Sequence, residues 1–243
     1  MRALLLNLVR VSYLETVFSL RIPASLIFVF LLPSLMLLVL ASRAGSKEFI
    51  VPGLIALVTA FSAMQGVGQV AGSLRRGIWQ TFQTAFHPPW LYLAGVLVSR
   101  IVRTILVTTF LLFLALVAFR YWIEGSVWLH LVAVTLGSVV FGCLGLFLGY
   151  LPRSPNAAPQ WINLVTFLLM IVSGIFFTPS GMLISISRFS PLTYLTDLIR
   201  ANAMGLPVSA ATTFQAFSIL GLCGLATVGG AWHFARTRED DWG

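Results

Sequence analysis

The chain has 243 residues, 58% of them hydrophobic and only 9% charged, with a mean hydropathy of +0.96. A soluble domain carries about 25% charged residues, so nine per cent cannot cover a solvated surface and the chain reads as an integral membrane protein. The net charge of +8 would suggest nucleic acid in a soluble protein, but in an apolar chain it reads as the charge bias of cytoplasmic loops, and no nucleic-acid partner is expected.

The length allows about six spans with short loops and leaves no room for a soluble domain, so residues 1–243 are expected to form a single transmembrane domain. No GxxxxGK[ST] phosphate loop occurs, so any linked ATP hydrolysis is expected on another chain. Cys143 and Cys223 both lie in apolar runs and read as small buried hydrophobes, with no metal site. Residues 1–21 lack the short apolar core and the cleavage site of a signal peptide.

Residues 1–22 place Arg2, Asn7, Arg10 and Glu15 among leucines and valines. This pattern predicts a cytoplasmic interfacial helix ending near Pro23, or else a long start to the first span. Span one is predicted at 24–41, with Pro33 inside it. Pro52 and Gly53 open span two, which runs to about Gly72. Ser62, Gln65 and Gln69 share one helical face there. Polar groups in lipid turn toward the bundle or a cavity, so this face is either a pathway surface or an interhelical hydrogen-bond seam.

Residues 73–89 form the first long stretch that is not apolar. Arg75 and Arg76 mark it as cytoplasmic, and Trp79, Phe82 and Phe86 recur at helical spacing. Pro88 and Pro89 end it. Span three is predicted from Trp90 to about Phe119, with Arg100 and Arg103 snorkelling or facing the bundle. Span four runs from about Trp128 to Tyr150. Its Ser138-x-x-x-Gly142 and Gly145-x-x-x-Gly149 spacings permit close helix approach. A Pro-rich loop at 151–159 leads to span five at 160–177, where Asn163, Thr166 and Ser173 lie near one face. Span six is predicted at 212–235.

Between the last two spans lies a broken segment, 178–205. Pro179 and Gly181 stop the preceding helix, and Met182–Phe189 is too short to cross a bilayer, which takes roughly 20 residues. Ser190 as cap, Pro191 at the first position and Gly205 as terminator then define a helix. Leu192, Leu195, Leu198 and Ile199 share one face of it. Asp197 and Arg200 lie on another, spaced to pair. This predicts a helix lying at, or dipping into, the membrane surface.

The run Ser173-Gly174-x-Phe176-Phe177-x-Pro179, followed by Pro191-Leu192-Thr193-Tyr194-Leu195 and Arg200, closely resembles the end of the ABC-2 exporter permeases, such as those of daunorubicin-type drug and nodulation-factor systems. The resemblance implies a bacterial inner-membrane subunit, multi-pass with both termini cytoplasmic, working as a pair with a second copy of itself. A separate ABC ATPase would hold the ATP and magnesium, leaving this chain with no cofactor and no catalytic residue. It also implies that 73–89 is the coupling helix, with Arg75, Arg76, Gly77, Trp79, Phe82 and Phe86 facing the ATPase. Many relatives carry an acid before the glycine, where this chain has Arg76. From the residues alone, an ordinary amphipathic helix on anionic lipid is the alternative. The candidate pathway and gate residues are Ser62, Gln65, Gln69, Asn163, Thr166, Phe176, Phe177, Pro179, Asp197 and Arg200.

No HExxH, GxSxG or paired intramembrane carboxylates appear, which disfavours a membrane enzyme. Of the acids, only Asp197 is expected to reach membrane depth, and spans one, two, four, five and six carry no ionisable relay, which disfavours a proton-coupled carrier. The expected function is export of an amphipathic drug, lipid or glycolipid. The alternative is a non-transporting membrane scaffold.

With the N-terminus inside, ten basic residues fall on the cytoplasmic side and five outside. Tryptophans 90, 122, 128, 161 and 232 fall at predicted span ends. This topology makes a testable statement. A cysteine placed at Ser46 is expected to react with an impermeant thiol reagent added to intact cells, and one at Ser154 is not; labelling at Ser154 would overturn the six-span arrangement.

Overall fold

The computed structural model describes residues 2–21, 27–42, 47–73, 90–152, 154, 157–176 and 181–206, together with Ser218 and Gly221. Residues 74–89, with Arg75, Arg76, Gly77, Trp79, Phe82 and Phe86, lie outside the described residues, as do Phe177, Pro179 and all of the expected span six but Ser218 and Gly221. The regular elements among the described residues are all helices, with no strand.

Helix α1 covers Arg2–Arg21. A π-helical stretch, Ile27–Leu31, leads into α2, Leu32–Ala41. The proline expected inside span one thus sits in the first turn of α2. The helical run is nevertheless continuous through it, since Leu31 is itself αR and the π-helical turn leads straight into α2, so Pro33 lies inside the helix as expected and the wider turn before it accommodates the missing donor. Helix α3 is Lys47–Ser73, α4 is Trp90–Phe119 and α5 is Val127–Tyr150. Each contains a segment long and apolar enough to cross a membrane. Helix α6, Ala158–Val172, and α2 are apolar but shorter. After a turn at 173–176 come α7, Met182–Ser187, and α8, Pro191–Ala203.

Helix α3 starts five residues earlier than expected, at Lys47 rather than Pro52. Pro52 removes one donor, the one that would have reached the Glu48 carbonyl, and the helix runs through it. Helix α4 matches the expected span, and Arg120, at φ 54, takes the left-handed conformation that ends it. Helix α5 begins one residue early because Ser126 Oγ accepts from the Leu129 N–H, at 3.5 Å.

Helix α3 is the axis of the bundle, packing against α2, α4, α5, α6 and α8, with its most extensive contact to α5. Glycine makes that contact close. A Cβ on Gly145 would lie 2.4 Å from the Met64 carbonyl oxygen, and one on Gly68 would lie 2.7 Å from the Gly145 carbonyl oxygen. A Cβ on Gly137 would meet both Leu195 and Thr59. The pairings 137 with 59 and 145 with 64–68 make α3 and α5 parallel, as expected for alternate spans. Leu54, Ile55, Met64, Phe141, Ile162, Leu192, Leu195 and Ile199 are fully buried at the centre. Buried hydroxyls return to their own helix: Thr59 donates to the Ile55 carbonyl at 2.8 Å and Ser138 to Val134 at 2.8 Å. This leaves no unpaired group at those positions, where neighbouring helices offer only apolar surface.

Helix α8 runs antiparallel to α5. Leu195 sits at the level of Gly137, while Asn202 reaches Gly125 and Ser126. Gly137 is ten residues into α5, so α8 enters the bundle to a depth on the order of 15 Å at 1.5 Å per residue. Leu192, Leu195, Leu198 and Ile199 face α3 and α5 rather than a lipid surface. The apolar face expected of this helix is therefore covered by α3 and α5. An apolar helix face is covered by protein wherever Cβ-less positions such as Gly137 leave room for it.

The glycine contact is directly testable. Replacing Gly145 by alanine forces α3 and α5 apart against backbone, and overpacking of this kind costs about 1–3 kcal/mol. Thermal unfolding of the purified variant is expected to show a lowered midpoint. Alanine at exposed Gly181, where nothing lies within 4 Å, avoids any clash, and its cost comes from the φ of +57 alone.

Candidate functional site

A groove of about 310 Å³ lies between α2, α3 and α6. Its walls are apolar, including Leu32, Met36, Leu57, Phe61, Phe167 and Met170. Three polar residues also line it: Ser62 from α3, and Asn163 and Thr166 from α6. Beside them the Gln65 side-chain amide donates to the Asn163 side-chain carbonyl. Thr166 is satisfied by its own helix, donating to the Ile162 carbonyl at 2.7 Å, with the Met64 sulfur at 3.7 Å. The Ser62 hydroxyl is buried with no hydrogen-bond partner. Ser62, Gln65, Asn163 and Thr166, chosen from two stretches about 100 residues apart, are therefore brought together. The Gln69 side chain lies outside the described residues.

Helix α8 carries the second group. Its Asp197 and Arg200 pair at 3.6 Å, as their spacing predicts. The pair is lopsided: the Asp197 side chain is 62% exposed and that of Arg200 only 17%. Arg200 does more than pair. Its guanidinium carbon lies 3.9 Å from the centre of the Phe49 ring, and its Nη2 donates to the Gly174 carbonyl at 3.4 Å. One side chain thus joins α8, the start of α3 and the turn after α6. Phe176 lies in that same turn, half-buried against the main core. The two groups are separate: neither Asp197 nor Arg200 lines the groove.

Three features were not foreseen from the sequence. Ser190 occupies the cap position of α8 but makes no capping bond, and its hydroxyl is buried unpaired. Asn202 exchanges hydrogen bonds with Ser126, accepting from its N–H and donating to its carbonyl, each at 3.0 Å. These bonds hold the end of α8 to the loop between α4 and α5. His130 in α5 is buried, and neither ring nitrogen has a hydrogen-bond partner. Nothing local in the sequence pointed to Asn202 or His130, because their surroundings come from distant segments.

The asymmetry of the charged pair sets an expected ranking. Asp197→Ala removes one mostly exposed partner and should cost about 0–1 kcal/mol. Arg200→Ala loses a cation–π contact and a carbonyl bond as well, and should cost about 1–3 kcal/mol. Thermal shift assays on the two variants check the order. Equal losses would mean that the ion pair, not the Phe49 and Gly174 contacts, holds α8.

The family model described as ABC-2 type transporter matches residues 15–204, which include the groove, the charged pair and every helix from α2 to α8. Comparison with curated proteins finds no match. The match covers well over half the chain and spans both sets of residues just described. The chain belongs to the ABC-2 type transporter family, as a multi-pass membrane permease subunit.

Proposed function

We propose that the chain is the membrane pathway of an ATP-driven exporter, moving an amphipathic molecule from the cytoplasm or inner leaflet to the outer side. The observation that carries this reading is the groove between α2, α3 and α6, apolar along its walls and bearing Ser62, Asn163 and Thr166. An apolar site with a few placed polar groups suits a ligand that has an apolar body and a polar end. Such a molecule gains from leaving water along the walls, while its polar end would meet Asn163, the exposed polar side chain of the groove.

Two copies would enclose the pathway, each contributing the open face of α2 and α6, where Leu35, Leu164, Phe167 and Leu168 are exposed. A partner ATPase with its ATP and magnesium would bind 73–89, with Arg75, Arg76, Gly77, Trp79, Phe82 and Phe86 in contact. Closure of the ATPases would shift the ends of α3 and α4 and reshape the groove. Residues Phe176, Phe177 and Pro179, with α8, would form the outer exit. Both termini would be cytoplasmic in a bacterial inner membrane.

The test is the docking step. Phe82→Asp places a charge in the aromatic stripe of a cytoplasmic segment. It is expected to abolish both co-purification of the ATPase and transport, while membrane insertion stays at the wild-type level. Normal complex formation by this variant would remove the docking claim and leave 73–89 as a lipid-surface helix.

A further inference from the structure

Helix α1 is expected to lie at the membrane interface, and its outer face fits that, with Leu6, Val9 and Tyr13 exposed. Its other face is built differently. Ser12 donates to the Gly95 carbonyl at 3.1 Å, Thr16 to the Ser99 hydroxyl at 2.9 Å, and Tyr92 to the Glu15 carboxylate at 2.9 Å. Arg100 forms an ion pair with the other oxygen of that carboxylate at 3.6 Å. Val11 packs into the space left by Gly95 and forms, with Val67, Tyr92 and Val96, a small core apart from the main one.

The path taken by Arg100 is specific. A Cβ on Gly66 would lie 2.3 Å from both Cδ and Nε of Arg100. The arginine stem therefore lies against α3 at the residue without a side chain, while its guanidinium meets Glu15 of α1, the helix that packs on α4. Three helices meet at one side chain. Two of them, α3 and α4, end and begin at Ser73 and Trp90, so they are the covalent flanks of 74–89. A buried ion pair is a poor way to add stability, since an apolar replacement is often as good. Its strength is geometric, because breaking it strands a charge, and the helices that share it cannot slide independently.

We propose that the Glu15–Arg100 pair, seated against Gly66, is the joint that makes α1 move as one body with the adjoining ends of α3 and α4, so that displacement of those ends by a docked ATPase carries α1 with it. Glu15, Arg100 and Gly66 are then positioning residues for transport. This transmission rests on the function proposed above; the joint itself does not.

Two variants separate charge from shape. Glu15→Gln removes the charge and keeps the side-chain volume. Gly66→Ala keeps both charges but pushes the flexible arginine stem out of its slot. In the first measurement, a spin label at exposed Tyr13 reports the mobility of α1 in the full chain in nanodiscs. Both variants are expected to free the label, and unchanged mobility in both would overturn the joint. In the second measurement, a cysteine at Phe167 reports the groove through its maleimide reactivity, with and without ATP, magnesium and vanadate, in the complex with the co-purified ATPase. The wild type is expected to change reactivity on trapping. Both variants are expected to hydrolyse ATP yet lose that change, and a wild-type response in either would overturn the transmission. A wild-type chain that binds no ATPase would overturn the proposed function and the transmission together, while the spin-label result still decides the joint.

Discussion

The arrangement depends on how closely α3 and α5 approach. With no Cβ at Gly145 and Gly68, the two backbones touch, and α3 is left exposed enough on its other sides to meet four more helices. In lipid there is little hydrophobic gain in pressing one apolar helix against another, so contact must come from close packing and polar groups. Glycine supplies the first directly. The same device recurs wherever an element enters the bundle. Gly137 admits Leu195 of α8, Gly53 admits Ile175 of the turn after α6, and Gly66 admits Arg100.

That packing also holds the short helix α8 inside the bundle. Backbone that leaves a helix within a membrane must find partners in protein, because lipid offers none. Helix α8 meets this by being short, burying its apolar face on α3 and α5, and tying its end to the 124–126 loop. The Glu124 N–H donates to the Ala203 carbonyl at 3.1 Å, beside the reciprocal bonds of Asn202. Arg200 then fastens it to Phe49 and to the Gly174 carbonyl. The segment most unusual in sequence is thus among the best anchored.

The polar groups divide by position. The Thr59, Ser138 and Thr166 hydroxyls in the centre of the bundle bond to their own helices. Charged groups gather at two ends: Glu15 and Arg100 beside the helix ends that flank 74–89, and Asp197 with Arg200 at the opposite end. The groove lies between these ends, with Ser62 and the Gln65–Asn163 amide pair beside it. In the proposed exporter this puts the energy input and the exit at opposite ends of one path, linked by α3, which touches both charged sites and the groove.

Much of the fold was legible from sequence because lipid imposes a simple rule: a long apolar run must be a helix that satisfies its own backbone. The bounds of α4 and α5, the isolation of α7 and α8, and the pairing of Asp197 with Arg200 all followed from local composition and helical spacing. Proline was less informative at Pro52, which was read as opening span two but lies inside α3. What the sequence could not determine was which faces meet. Glu15 read only as one of the polar residues of an interfacial helix, and only the tertiary structure lays Arg100 against Gly66 to meet it. Ser62 and Asn163 each fell on a polar helical face, with no sign that the faces adjoin across a groove. The reason is physical. Helix formation in lipid is decided by the residues of the helix itself, whereas the side toward which each helix turns is decided by the shape of its neighbours, fixed here by single glycines far away in the chain.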